Sequence, residues 1–222
     1  LKFLVNCDRL PDWKRDVIDI VRQESLYFMP QIRTKIMNEG WASFWHHKIL
    51  NELNLPQDLH IPFLKMHNAV VCPHPNRVNP YHLGFYLFTK IYENEGLEKM
   101  FEVRECHDDI SFLMTFLDQD DMEELELFAF NRQGDNIVVD DVSDKDGWKK
   151  VKTSLLMNTG VNLIPTIYVQ RVAKDGSLIL SHVYDNRELD LDSADKVKDD
   201  LSKLWDGQVK LFTIIEGEQW EI

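Results

Sequence analysis

Thr34-Lys35-Ile36-Met37-Asn38-Glu39-Gly40-Trp41-Ala42-Ser43-Phe44-Trp45-His46 is the stretch on which the fold turns. Its apolar and aromatic residues crowd most of a helix circumference, so the spacing predicts a helix from about Arg33 to Leu53 lying inside the protein. Gly40 costs such a helix about 1 kcal/mol against alanine, and a glycine there permits close approach of another helix or a ligand. Glu39 and His46 are i and i+7, on one face and two turns apart, with Ser43 between them. An acid and an imidazole on an apolar face cost free energy to bury unless they are paired or bound.

Working outward, Asp12 can cap an earlier helix in which Trp13, Val17, Ile20, Val21 and Phe28 form an apolar stripe. Pro30 is expected to end it. Pro56 and Pro62 bracket a loop, with a short helix expected from Pro62 to about Val70. The run Val71 to Val78 is too rich in proline for regular helix. Asn79-Pro80 is a strong helix start, with Asn79 as cap, and that helix should reach about Asn94, before Gly96. Asp108 or Asp109 can cap a further helix carrying Ile110, Phe112, Leu113 and Phe116.

Beyond that the style changes. Strands are expected at Leu125–Phe130 and Asn136–Val142 around a Gln133-Gly134-Asp135 turn, and at Pro165–Val172 and Ser177–Tyr184 around Lys174-Asp175-Gly176. A third pair, Gln208–Glu216 and Glu218–Ile222, meets at Gly217. Helices fall between the pairs, from Asp144 to about Met157 and from Ser193 to Trp205. The result is an α+β fold, a helical N-terminal half followed by a mostly antiparallel sheet region in the order ββ-α-ββ-α-ββ. The change of style places a division at residues 1–117 and 118–222.

The formal charge of the 222-residue chain is -13. Residues 1–110 hold 13 Lys and Arg against 15 Asp and Glu, while residues 111–222 hold 12 against 23. So acidic a C-terminal half lacks the cations that displace counterions from phosphate, which argues against nucleic acid as a partner. It argues equally against an anionic membrane surface. There is no run of about 18 apolar residues to insert in a membrane. Cys7, Cys72 and Cys106 are an odd, scattered set, which suits a reducing compartment better than a disulfide framework. The start at Leu1, with no basic segment and apolar run ahead of a cleavage site, reads as a fragment or a mature piece.

Three places could carry chemistry. On the Thr34–His46 helix, Glu39 and His46 could supply two ligands to a metal, and His67, His74 or His82 could complete the set. The alternative is that the acid and the imidazole belong to a polar network within the core. The loop from His74 to His82 feeds a helix N-terminus and carries Arg77, which suits an anion; it equally suits a rigid connector. The cluster Glu102, Arg104, Glu105, His107, Asp108 and Asp109 could line a cleft, although such charge runs more commonly form a solvated face. Asn38, Trp41, His67, Asn79, Tyr81 and His82 are the candidate binding residues around these places. No Walker, dinucleotide or nucleophile-elbow motif is present, nor an H-E-x-x-H or H-x-x-x-H pair.

The residues Trp13-Lys14-Arg15-Asp16, Tyr27-Phe28, Thr34 through His46, Asn79-Pro80-Tyr81, Leu83-Gly84, Phe101 through Glu105 and Asp109 through Leu113 resemble the stage V sporulation protein R family. Tyr184, Glu188-Leu189 and Leu204-Trp205 extend the likeness, which corresponds to the C-terminal half of that family. It implies a bacterial cytoplasmic protein of spore cortex formation, acting through regulation or interactions, with its own N-terminal half as a partner. It also implies a serine protein kinase as a second partner, because the family's genes often stand beside one. The family occurs as well in bacteria that form no spores.

Asn38-Glu39-Gly40-Trp41-Ala42 is also similar to the N-E-G-x-A segment of gluzincin metallopeptidases, in which the glutamate is a zinc ligand. That likeness implies a second reading. The chain would be part of a metal-dependent, hydrolase-like enzyme, with Glu39 and His46 holding a divalent metal (zinc or iron) together with residues outside this chain.

Overall fold

The computed structural model describes the chain except residues 75–76, 134–135 and 143–146, and describes 129–133 and 136–142 by their backbone alone. The elements run α1 (Lys2–Val5), α2 (Asp12–Arg33), α3 (Lys35–Glu52), α4 (Gln57–Val70), α5 (Pro80–Cys106), α6 (Asp109–Phe116) and α7 (Gln119–Glu124). There follow β1 (Phe128–Gln133), β2 (Asn136–Val142), α8 (Trp148–Met157), a 3-10 turn at Gly160–Leu163, β3 (Ile167–Val172), β4 (Leu178–His182), α9 (Leu191–Trp205), β5 (Val209–Ile215) and β6 (Glu218–Glu221). A helical first half followed by strand pairs separated by helices is an α+β fold, in the element order that the sequence predicts. The predicted Gln133-Gly134-Asp135 turn and the start at Asp144 lie outside the described residues.

By contact the chain forms two compact units, one of residues 29–163 and one that joins residues 1–28 to residues 164–222. These units cut the chain at other places than the change of style near residue 117.

In the 29–163 unit α3 and α5 make the most extensive helix pairing. Leu83, Leu87 and Ile91 follow one another at i, i+4 and i+8 on α5, and all are buried. They meet Ile36, Met37 and Phe44 of α3, and the cluster continues through Met100, Val103, Phe112, Leu113 and Val151. The two helices touch backbone to backbone. A Cβ on Gly40 would lie 2.3 Å from the Gly84 carbonyl carbon, and one on Gly84 would lie 2.3 Å from the Ile36 oxygen. Both positions therefore require glycine for a steric reason, and the close approach expected of Gly40 is to a helix.

Helix boundaries show where sequence signals were overridden. Pro30 does not end α2, which runs on to Arg33. The break comes at Thr34, at φ -127° and ψ 26°, where α3 begins. Pro62 likewise sits inside α4, which starts five residues earlier than it does, behind Pro56, with Leu59 and His60 N–H groups bonded to the Pro56 carbonyl. Helix α5 passes the predicted stop and continues to Cys106, but Gly96 at φ 85° kinks it.

In the other unit β3 to β6 form one sheet in sequence order. β3 with β4 and β5 with β6 are antiparallel hairpins, whereas β4 and β5 run parallel. A parallel pair needs a crossover, and α9 supplies it. Leu178 and Leu180 of β4, Val209 and Leu211 of β5, and Ala194 and Trp205 of α9 form the core with Leu4, Leu10 and Ile18. Turn chemistry fixes both hairpins. Gly176 at φ 87° closes the first, where its carbonyl accepts from Arg9 Nη1 and Trp205 Nε1, each at 2.9 Å. Glu216 and Gly217, at φ 50° and 80°, are the two left-handed residues of a tight turn in the second.

Candidate functional site

The α3–α5 crossing positions most of the residues singled out from the sequence. Glu39 is half-buried one residue before the crossing glycine. Its carboxylate faces the Tyr81 hydroxyl at the start of α5 and raises the Tyr81 pKa, with burial adding to it. Tyr81 is held in place by Asn79, whose side chain accepts from the Tyr81 N–H at 3.0 Å and donates to the Val70 and Cys72 carbonyls at 2.8 Å. Asn79 thus caps α5 and ties the preceding loop to it. Asn38 is exposed and donates to Thr34 Oγ1 at 2.9 Å. Trp41 stacks edge-on with Trp45, Phe88 and Phe101 at centroid distances of 5.2 to 5.7 Å. The Arg104 guanidinium covers its ring at 5.1 Å, so this cation packs on an aromatic face.

His46, two turns along α3, has different neighbours. It is exposed and lies against Phe63 (5.4 Å) and His67 (6.1 Å) of α4. His67 stands closer to His47, at 4.8 Å, with Phe85 at 5.0 Å. His67 is buried, and its Nε2 has no hydrogen-bond partner. Burial, then the neighbouring His47 and His46, lowers the His67 pKa; burial, then His46, lowers that of His47. Both rings are therefore held neutral at pH 7, able to accept a proton or a Lewis acid. His82 is half-buried, and burial lowers its pKa against a hydrogen bond to the Val71 carbonyl. His74 is exposed and forms a backbone bridge with Arg77. The structure so brings Glu39 to Tyr81 and His46 to His67, and sets His74 in one cavity lining with Asn79 and His82. Among the described residues, no group of three or more His, Cys, Asp or Glu side chains is placed to hold a metal ion.

Two polar centres were not legible as such. Asp109, offered by the sequence as a cap for its own helix or as one of a charged cluster, is 1% exposed. Its carboxylate accepts from the Ile36 and Met37 N–H groups at 2.9 Å, so it caps α3 from another helix. Burial pushes its pKa up to about 6, against the pull of those N–H donors. Asp108, one residue earlier, caps its own helix through a reciprocal capping box with Ser111. The second centre is Lys90, which donates to Asp118 and to the buried Asp121 at 2.6 Å. Tyr86 OH joins it by donating toward Asp121 and Glu124. Burial first, and then these acids, raise the Tyr86 pKa, keeping the phenol protonated. The spacing Tyr86, Lys90 at i, i+4 was the available signal, but its acidic partners lie some thirty residues on.

A helical region of glycine-mediated crossing and helix-capping acids, followed by a four-stranded mixed sheet, defines this as an α+β protein with polar residues set at the crossing of α3 and α5. Over residues 1–164 the chain matches the family described as SpoVR like protein, and over residues 165–216 the SpoVR-like C-terminal domain. The chain belongs to the SpoVR family. It is 30% identical to a protein of Escherichia coli (strain K12) that carries the name "Uncharacterized protein YcgB", in an alignment of 216 residues taking in 82% of this chain and 42% of the relative. The chain thus spans less than half the length of the curated relative it matches. No solved structure matches it. No helix among the described residues is long and apolar enough to cross a membrane.

Proposed function

We propose that the chain is the part of a bacterial cytoplasmic sporulation protein that serves spore cortex formation by binding partners. The observation that carries this reading is the family match, which extends from residue 1 to residue 216 and so includes both compact units. The greater length of the relative supports a partner within the same polypeptide, an N-terminal half. A serine protein kinase is the second partner proposed. The exposed apolar residues of α2, among them Trp13, Ile20 and Tyr27, offer a surface of the kind that protein contacts use. The test is complementation. In a spore-forming host that lacks its own family member, the intact protein should restore cortex and heat-resistant spores. A folded triple variant, Trp13→Ser, Ile20→Ser and Tyr27→Ser, should not. No restoration by the unaltered protein overturns the reading.

A second reading has one observation in its favour, the unpartnered Nε2 of His67 beside His46 on the helix that carries Glu39. In it Glu39 and His46 contribute to a zinc or iron site completed from outside the chain, in an enzyme of hydrolase type. The intact protein would then hold near-stoichiometric metal, lost in folded Glu39→Ala and His46→Ala variants. Metal-free protein, with function surviving both changes, rejects it.

A further inference from the structure

A cavity of about 650 Å³ lies within the 29–163 unit, and no histidine is among the described residues that line it. It falls in the range of cavities that bury small ligands. Its walls are aliphatic for the most part, with Ile32, Ile36, Val78, Leu127, Val151 and Leu155 contributed by α2, α3, the loop before α5, the chain ahead of β1, and α8. Two cations line the same space, Lys35 at the start of α3 and Arg77 before α5. Neither has an ion-pair partner among the described residues, although the chain carries thirteen more acids than bases. Two cations against one acid give the lining of this apolar cavity a positive balance. The one acid in the lining, Asp109, is turned to the α3 N-terminus, where its oxygens are taken up by backbone N–H groups.

We propose that this cavity binds a single-chain aliphatic carboxylate, with the chain among the aliphatic walls and the head group between Lys35 and Arg77. Apolar area drives such a ligand in. A charge-assisted hydrogen bond from Arg77 fits a planar carboxylate, and Lys35 adds a point charge. A neutral or cationic amphiphile of the same length would gain the first contribution and not the second.

The probe is sodium dodecanoate, below its micelle concentration, titrated calorimetrically into the intact protein at pH 7.5. One-to-one saturable binding is expected, weakened about ten-fold or more in Lys35→Ala and in Arg77→Ala. Ser154→Trp, which fills the cavity from the half-buried end of its lining, should abolish binding, with circular dichroism confirming that each variant is folded. Dodecyltrimethylammonium should bind at least ten-fold more weakly than dodecanoate, by the same arithmetic. Absence of saturable binding overturns the proposal. So does equal binding of the cationic amphiphile, or affinity unchanged in the folded charge variants or in folded Ser154→Trp.

Discussion

Helices α2 and α3 are consecutive in the chain, similar in length, and both rich in apolar residues, yet they are used in opposite ways. Helix α3 buries Ile36, Met37, Gly40, Ser43 and Phe44, whereas α2 buries Ile18 alone. Trp13, Val17, Ile20 and Tyr27 of α2 are each more than half exposed. The period of an apolar stripe announces a helix; whether the stripe meets a partner inside the same chain depends on what packs there. For α3 the partner is α5, admitted by Gly84. This comparison teaches that helical pattern and helical burial are separate facts, and that the second is set by residues distant in sequence.

The comparison can be broken most severely at the crossing. Gly40→Ala puts a methyl group against α5 backbone, which has no side chain to give way. Destabilisation of about 3 kcal/mol or more is expected in urea unfolding followed by tryptophan fluorescence. A loss below 1 kcal/mol would mean that the helices can separate at little cost.

The next effect comes from the acid that caps α3. The folded pKa of Asp109, about 6, stands above its ordinary 3.8. The folded state therefore holds the proton more tightly, and its contribution is fully present below pH 3.8 and lost as pH rises through about 6. The loss amounts to up to about 3 kcal/mol across that window. In Asp109→Asn this part of the pH dependence should vanish, so the gap between variant and wild type should change between pH 4.5 and 6.5. A constant gap would show that the carboxyl titrates normally.

A smaller effect is expected at His67. Replacing an unpartnered buried imidazole by Phe removes an unsatisfied polar atom, so stability at pH 7 should be unchanged or rise by about 1 kcal/mol. The lowered pKa of His67 means that its contribution is present above pH 6.5 and lost on acidification. His67→Phe should remove that acid sensitivity in the same unfolding assay, and a marked loss of stability at pH 7 would show that Nε2 has a partner. Smallest of all, Val17→Ala and Ile20→Ala on α2 should shift thermal unfolding by no more than about 0.5 kcal/mol. A larger shift would show that the α2 stripe is buried.

Much of the fold was legible where the signals are local. Asn79-Pro80, the Gly176 and Gly217 turns and the apolar crowding of α3 each act within a few residues, and each lies where the sequence predicts. Local breakers misled where the neighbouring turns were already bonded: Pro30 and Pro62 sit within helices. Of the candidate residues, Asn79 caps the helix that begins with Tyr81, and Tyr81 lies beside Glu39 of α3. Asp109 was hidden in a run of charges. Its burial depends on the α3 N-terminus, some seventy residues earlier, and adjacent acids look alike in a sequence whatever each one faces. Of the two cations of the cavity, Arg77 stood in a loop that the sequence offered to an anion, whereas Lys35, on a separate element, had no pattern to join it to Arg77.

The parallel seam between β4 and β5 sets an order in time as well as in space. Each hairpin joins residues close along the chain and can close by itself, whereas the seam joins strands separated by all of α9. Loop closure of that length is unfavourable until the helix has formed and docked. Pairing of β4 with β5 in the middle of this sheet is therefore expected to follow closure of the two hairpins and to depend on α9 being in place.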